Sequence, residues 1–219
     1  IGVVTVVLFA GAFFLAGQAQ EANNEGIEIK TQVKGNPDAE VVLTKYSDFQ
    51  CPACGQAAPI IAEIVEQYKE ELRFEYKHFP IERIHPYALQ AGMAAEAAGQ
   101  QGKFFEFHDL LFENQAEWGR SAAPGAFFVQ YAEEIGLDMD QYNRQSNASV
   151  LRDKVRAEMT EGRDMGVSGT PAFFLNGQLM RGPSGGNPTY EQITLQIAAA
   201  IDPSLASSTI QSEDESVVG

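Results

Sequence analysis

Tyr46-Ser47-Asp48-Phe49-Gln50-Cys51-Pro52-Ala53-Cys54 places the only two cysteines of the 219-residue chain three positions apart. If the pair opens a helix, both thiols fall on one face, one turn apart, close enough for a strained but closable disulfide. The spacing suits a redox switch or half of a metal site. Before it, Val41 to Tyr46 (VVLTKY) is short, apolar and β-branched, bounded by Asn36-Pro37-Asp38 and Ser47-Asp48; it reads as a buried strand. After it, Ile60, Ile61, Ile64, Val65 and Tyr68 share one helical face, with Pro52 suited to the first turn. Pro59 lies inside the pattern and should kink the helix.

Leu72 to Phe79 alternates Leu72, Phe74, Tyr76 and His78 against Arg73, Glu75 and Lys77. Strand, helix and strand in this order predict a right-handed parallel crossover, with the cysteine pair at the carboxyl end of the first strand. From His85 to Met165 the strand signal gives way to helix formers, with Gly136 at a C-cap and Asp138 at an N-cap. This stretch of roughly eighty residues reads as a helical domain inserted into a sheet domain. The β pattern resumes at Thr170-Pro171-Ala172-Phe173-Phe174-Leu175, and Asn176-Gly177 signals a hairpin into Gln178 to Arg181. Tyr190, Ile193, Ile197 and Ile201 mark a closing helix.

The two ends differ from the middle. Ile1 to Gly17 carries no charge and is expected to form a hydrophobic helix, either a signal peptide cleaved near Gly17-Gln18-Ala19 or a membrane anchor. Residues 20–36 read as a polar linker, with Ile27, Ile29 and Val33 placed for a short edge strand. Residues 204–219, rich in Ser, Asp and Glu, read as a disordered acidic tail. The expected organisation is therefore 1–19 leader or anchor, 20–36 linker, 37–84 first part of the α/β domain, 85–165 helical insertion, 166–203 second part, and 204–219 tail. An exported setting is one in which a disulfide can persist.

Fifteen basic residues against thirty acidic ones give a net charge of −15, which argues against nucleic acid or an anionic membrane surface as the main partner. The 44 % hydrophobic content suffices for a buried core. A purely structural disulfide across so short a loop constrains little chain. Zinc would need two ligands beyond the thiolates from His78, His85 and His108, whose spacings fit no common zinc pattern; no metal and no cofactor is expected. Packing or capping is the expected role of all three histidines. A thiolate at a helix N-terminus is favoured by free N–H groups and the helix dipole, so Cys51 is the candidate nucleophile and Cys54, one turn inside, the resolving thiol.

The motif around Cys51 and Cys54, the proline eight residues later, the helical insertion, and Gly166-Val167-Ser168-Gly169-Thr170-Pro171-Ala172-Phe173-Phe174-Leu175-Asn176-Gly177 together resemble the DsbA family of thiol:disulfide oxidoreductases, within the thioredoxin superfamily. The resemblance spans about Asn36 to Pro203. It implies a thioredoxin fold with an inserted helical domain and a cis Thr170-Pro171 bond beside the cysteines. It also implies an extended substrate segment paired with that loop through backbone hydrogen bonds. Implied partners are cysteine-containing exported polypeptides and a membrane redox partner that recycles the disulfide, in the periplasm or at the outer face of a membrane. The sequence departs from the family at two tuning positions. Lys45 stands where relatives often carry a buried acid, and either snorkels outward or lowers a thiol pKa by its charge. Pro52-Ala53 stands between the cysteines where the best-known relatives have Pro-His. Oxidase is the first expectation, isomerase or reductase the second, and a redox-inert chaperone the rival from another class.

Overall fold

The computed structural model describes residues 18 and 21–205. Ile1 to Gly17, expected to form a hydrophobic helix, and residues 206–219 of the expected tail lie outside the described residues. Among the described residues five strands, β1 (Gln32–Gly35), β2 (Val41–Ser47), β3 (Leu72–His78), β4 (Ala172–Leu175) and β5 (Gln178–Leu179), form one sheet in the order β1-β3-β2-β4-β5. β2 and β3 run parallel, joined by helix α1 (Pro52–Gln67), and the other neighbours pair antiparallel. The expected crossover is therefore present, and α1 continues through Pro59 to Gln67.

The hairpin between β4 and β5 turns at Asn176 and Gly177, whose φ values of 48° and 77° are those a two-residue turn with matching twist requires. Asn176 also accepts a hydrogen bond from the Val42 N–H through Oδ1, at 2.8 Å. The edge strand is shorter than expected. It includes Val33 but neither Ile27 nor Ile29, and Ile29 is exposed.

Six helices separate β3 from β4: α2 (Ala88–Gly99), α3 (Phe104–Glu113), α4 (Gln115–Trp118), α5 (Pro124–Glu134), α6 (Met139–Gln145) and α7 (Ser149–Asp164). Asp138 caps α6 by accepting from the Gln141 N–H at 2.8 Å. The short α4 has no counterpart in the expected pattern. Its Trp118 is fully buried, donating Nε1–H to the Leu111 carbonyl and meeting Phe128 edge-on. Helix α8 (Tyr190–Ile201), the last element among the described residues, starts behind a capping box made by Thr189 and Gln192.

The sheet carries a core on each face. On one, Leu43 of β2 packs with Ile61, Ile64 and Val65 of α1 and Ile193 and Ile197 of α8. On the other, Tyr46, Phe79, Ala172 and Phe174 cluster beneath α7. Gly162 permits that approach, because a Cβ there would lie 2.8 Å from the Tyr46 ring. Alternation along β2 sends neighbouring residues to opposite cores.

The helical insertion is tied to the sheet by a buried polar cluster. Glu96 on α2 accepts from Gln32 of β1 at 2.9 Å and from Lys154 of α7 at 2.8 Å, and lies 2.9 Å from His78 Nε2. Lys154 also meets Glu158 at 2.7 Å, whose other oxygen accepts from the His78 N–H at 2.8 Å. Burial alone would raise the Glu96 pKa; the His78 and Lys154 contacts outweigh it and hold the carboxyl below its ordinary value. His78 is thus a hydrogen-bonding member of this cluster rather than a residue that merely packs.

Candidate active site

Cys51 is the N-cap of α1, with φ −76° and ψ 121°, and Pro52 opens the first turn, where its missing N–H costs nothing. Both cysteines are free thiols. Cys51 is 8 % exposed and Cys54 not at all, while Pro52 and Ala53 are exposed between them. That asymmetry follows from the helix: its first residue faces the mouth, and a residue one turn in faces the sheet.

The two thiols differ in acidity. A hydrogen bond from the Cys54 thiol is the largest influence on Cys51 and, with donors from Thr170 and the Ala53 and Cys54 N–H groups, overcomes burial to lower its pKa to about 5. Burial, then that same hydrogen bond, push Cys54 well above its ordinary value, against the pull of Lys45. In the thiol form Cys51 Sγ donates to the Thr170 carbonyl at 3.4 Å. A thiolate cannot donate, and the Thr170 hydroxyl, buried and otherwise unpartnered, is the donor this loop offers it. The Thr170-Pro171 peptide is cis, and Asn187 donates to the Pro171 carbonyl at 2.7 Å.

Lys45 does not snorkel. It is 1 % exposed, under α1, with its ammonium 5.1 Å from the centre of the Phe112 ring. It has no ion pair among the described residues. Burial lowers its pKa to about 8, opposed by attraction to Cys54, Cys51 and Asp109. His108, on the same side, is buried among Phe49, Phe104 and Phe112, with Nδ1 2.7 Å from Asp109. Burial, together with the Lys45 charge, lowers its pKa to about 4 against the pull of Asp109.

Several supports of the motif gave no sequence signal. Gln115 Nε2 donates to the carbonyls of Phe49 and Cys51 at 2.8 and 2.9 Å, from 64 residues beyond Cys51. Gln50 accepts from the Tyr87 N–H and donates to the Gly119 carbonyl. The buried Asp48 carboxylate accepts from the Gln50 and Ile81 N–H groups and meets His85 Nδ1 at 2.7 Å. These contacts fix the turn before α1 against both the insertion and the loop after β3. Only a pattern of buried polar residues near the cysteines could have hinted at them.

A family model described as Thioredoxin matches residues 28–199. The chain belongs to the thioredoxin family. Within that family its fold is DsbA-like. It is similar to a thioredoxin-like oxidoreductase from Silicibacter pomeroyi DSS-3, 27 % identical with a TM-score of 0.65 over 82 % of this chain and 95 % of that one. It superposes on the thiol-disulfide exchange protein α-DsbA2 from Wolbachia pipientis, 19 % identical with a TM-score of 0.66 over 84 % of this chain and 94 % of that one. It also superposes on oxidised BdbD from Bacillus subtilis, 17 % identical with a TM-score of 0.67 over 81 % and 94 % of the two chains. Among curated proteins it is 37 % identical over 158 residues to "Na(+)/H(+) antiporter NhaA 1" of Mycobacterium sp. (strain KMS), covering 70 % of this chain and 25 % of that protein. A second protein of that name, from Salinispora arenicola, is 41 % identical over 155 residues, 70 % of this chain and 22 % of the longer one. The chain thus spans about a quarter of the length of these relatives. Among the described residues of this thioredoxin-family chain no helix is long and apolar enough to cross a membrane.

Proposed function

We propose that this protein is a thiol:disulfide oxidoreductase that introduces disulfides into extracytoplasmic polypeptides through Cys51 and Cys54. The observation that carries the reading is the placement of the two thiols, Cys51 at the N-cap of α1 against the cis Thr170-Pro171 loop and Cys54 buried one turn inside, which lowers the Cys51 pKa to about 5 and raises that of Cys54. At pH 7 such a Cys51 is roughly 99 % thiolate, about a hundredfold more than an unperturbed thiol of pKa 9.0. Intrinsic nucleophilicity falls with pKa, and a fall of this size forfeits roughly the same hundredfold. As an attacking group Cys51 therefore gains little. As a leaving group it gains throughout, which favours the oxidase direction.

In that direction a substrate thiolate attacks Cys51 Sγ of the Cys51–Cys54 disulfide. The intramolecular bond breaks, a substrate–Cys51 disulfide forms, and Cys54 departs as a thiolate that takes a proton. A second substrate thiolate then attacks the substrate sulfur, and Cys51 leaves as its stabilised thiolate. The substrate loses two electrons and the protein gains them; a membrane redox partner withdraws them to restore the disulfide. Thr170 and Pro171 shape the loop against which the substrate lies, Pro52 and Ala53 leave the mouth open, and Lys45 eases the departure of Cys54 by its charge. The apolar Ile1 to Gly17 run supports export, as a cleaved leader or as a tether, with the helical insertion and the two parts of the α/β domain forming the exported body.

Mixing the oxidised protein with a reduced two-cysteine peptide tests the reading. The expected result is rapid peptide oxidation. Failure to accelerate exchange in either direction would leave a redox-inert chaperone, and faster reduction or reshuffling than oxidation would assign reductase or isomerase instead. Cys54→Ser is expected to accumulate substrate disulfides through Cys51.

A further inference from the structure

The loop that touches Cys51 has a groove on each side. One, of about 240 Å³, lies between Ser168-Gly169-Thr170 and the residues after β5, and is lined by Arg181 and Asn187. The other, of about 390 Å³, lies between Val167-Ser168, the end of α7 and the turn after β3, and is lined by Arg83, Arg163 and Glu82. Arg83, Arg163 and Arg181 are exposed, and none has a carboxylate within ion-pair distance among the described residues. Among the described residues the one acid lining either groove, Glu82, is 3.6 Å from Arg156 instead. Three arginines against one glutamate is unexpected on a chain of charge −15. A groove elsewhere on the surface, lined by Glu40, Glu75, Lys77 and Glu161, has the composition such a chain would lead one to expect.

Arg181 Nη1 donates to the Gly185 carbonyl at 3.3 Å, which leaves its other N–H groups for a ligand. Arginine without a carboxylate partner beside an open groove is suited to a carboxylate, which its planar guanidinium binds through two hydrogen bonds. A substrate strand lying along the Gly166–Pro171 loop would send alternate side chains toward the loop's two flanks. We propose that the grooves lined by Arg181 and by Arg83 and Arg163 select polypeptides carrying Asp or Glu within a few residues of the reactive cysteine. The inference rests on the proposed exchange reaction and names its substrate class. It runs against the global field, which by itself attracts basic chains.

The test uses labelled peptides of one sequence in which the cysteine is replaced by serine, so that binding is read without exchange, with Asp, Asn or Lys at the flanking positions. Fluorescence anisotropy with the reduced protein at about 0.02 M ionic strength is expected to show the Asp peptide binding about fivefold tighter than the Asn peptide, with the Lys peptide weakest. The preference should collapse at about 0.5 M salt and shrink in Arg181→Gln, Arg163→Gln and Arg83→Gln, vanishing in the triple variant. Thermal melts of the variants check that they fold. Equal binding of the three peptides, or tighter binding of the Lys peptide, overturns the inference. Cysteine-containing versions of the peptides separate the two ideas: exchange without acid preference removes this inference alone, whereas absence of exchange removes the oxidoreductase reading.

Discussion

Replacing Cys54 by alanine and by serine separates the forces that make Cys51 acidic. The Cys54 thiol hydrogen bond is the largest influence on Cys51, and Thr170 and two backbone N–H groups supply the rest. Alanine removes that donor, whereas serine keeps a hydroxyl in its place. The Cys51 pKa of about 5 should therefore rise by at least about one unit in Cys54→Ala and stay close to its starting value in Cys54→Ser. At pH 6 the wild type would then be roughly 90 % thiolate and the alanine variant at most roughly half. Thiolate absorbance near 240 nm, with iodoacetamide reactivity across pH, reads this directly. The second thiol does not interfere, because Cys54 titrates well above its ordinary value. The redox consequence follows from linkage. Ionisation at pH 7 stabilises the reduced form by about two pKa units relative to a thiol of pKa 9.0, or ~60 mV, and halving this because Cys51 lies at the mouth beside the exposed Pro52 and Ala53 leaves ~30 mV toward a stronger oxidant. Identical titrations of the alanine variant and the wild type, or coincident titrations of the alanine and serine variants, would refute the reasoning.

Two further outcomes follow from the buried cations. Lys45→Met should stabilise the protein by up to ~3 kcal/mol below pH 8, because the folded lysine pKa of about 8 lies below its ordinary 10.5 and the fold pays to hold the charge. That gain should fade as pH rises from about 8 to 10.5, and Cys54 should become less acidic still; urea melts at both ends and a slower exchange rate check it, and a destabilised variant at pH 7 would contradict it. Lys154→Met should cost about 3 kcal/mol near neutral pH by removing the buried cation that Glu96 and Glu158 share, leaving Glu96 to His78 and Gln32 and Glu158 to the His78 N–H. Glu96 titrates below its ordinary value, so its contribution is present above the normal glutamate range and lost as pH falls through the folded pKa; the penalty should be smaller in melts near pH 3.5, and an equal penalty at both pH values would exclude the pairing as its cause.

How legible each part of the molecule is in the sequence depends on the distance over which its cause acts. The β2–α1–β3 unit, the Asn176-Gly177 turn and the Asp138 cap are written in periodicity and short-range hydrogen bonding, within a few residues of where they act. The placement of the cysteine pair at a helix start is equally local, since Cys51, Pro52 and the helix N-terminus are adjacent. Gln115 reaches Cys51 from 64 residues away and Thr170 from 119, and neither distance leaves a trace in local pattern. Ile29 illustrates the opposite failure: its alternation suggests a strand, yet pairing begins only at Gln32, which is held by the buried Glu96.

By itself, then, the sequence determined an α/β chain with a helical insertion and a cysteine pair at a helix start, because periodicity and capping are properties of neighbouring residues. Tertiary structure alone decided that Lys45 is buried beneath the pair and that His78 joins Glu96 and Lys154. It also decided that three arginines of an acidic chain line the two grooves beside the Gly166–Pro171 loop. Burial and charge proximity are set by which distant segments pack together, and those are the quantities that separate the acidities of Cys51 and Cys54.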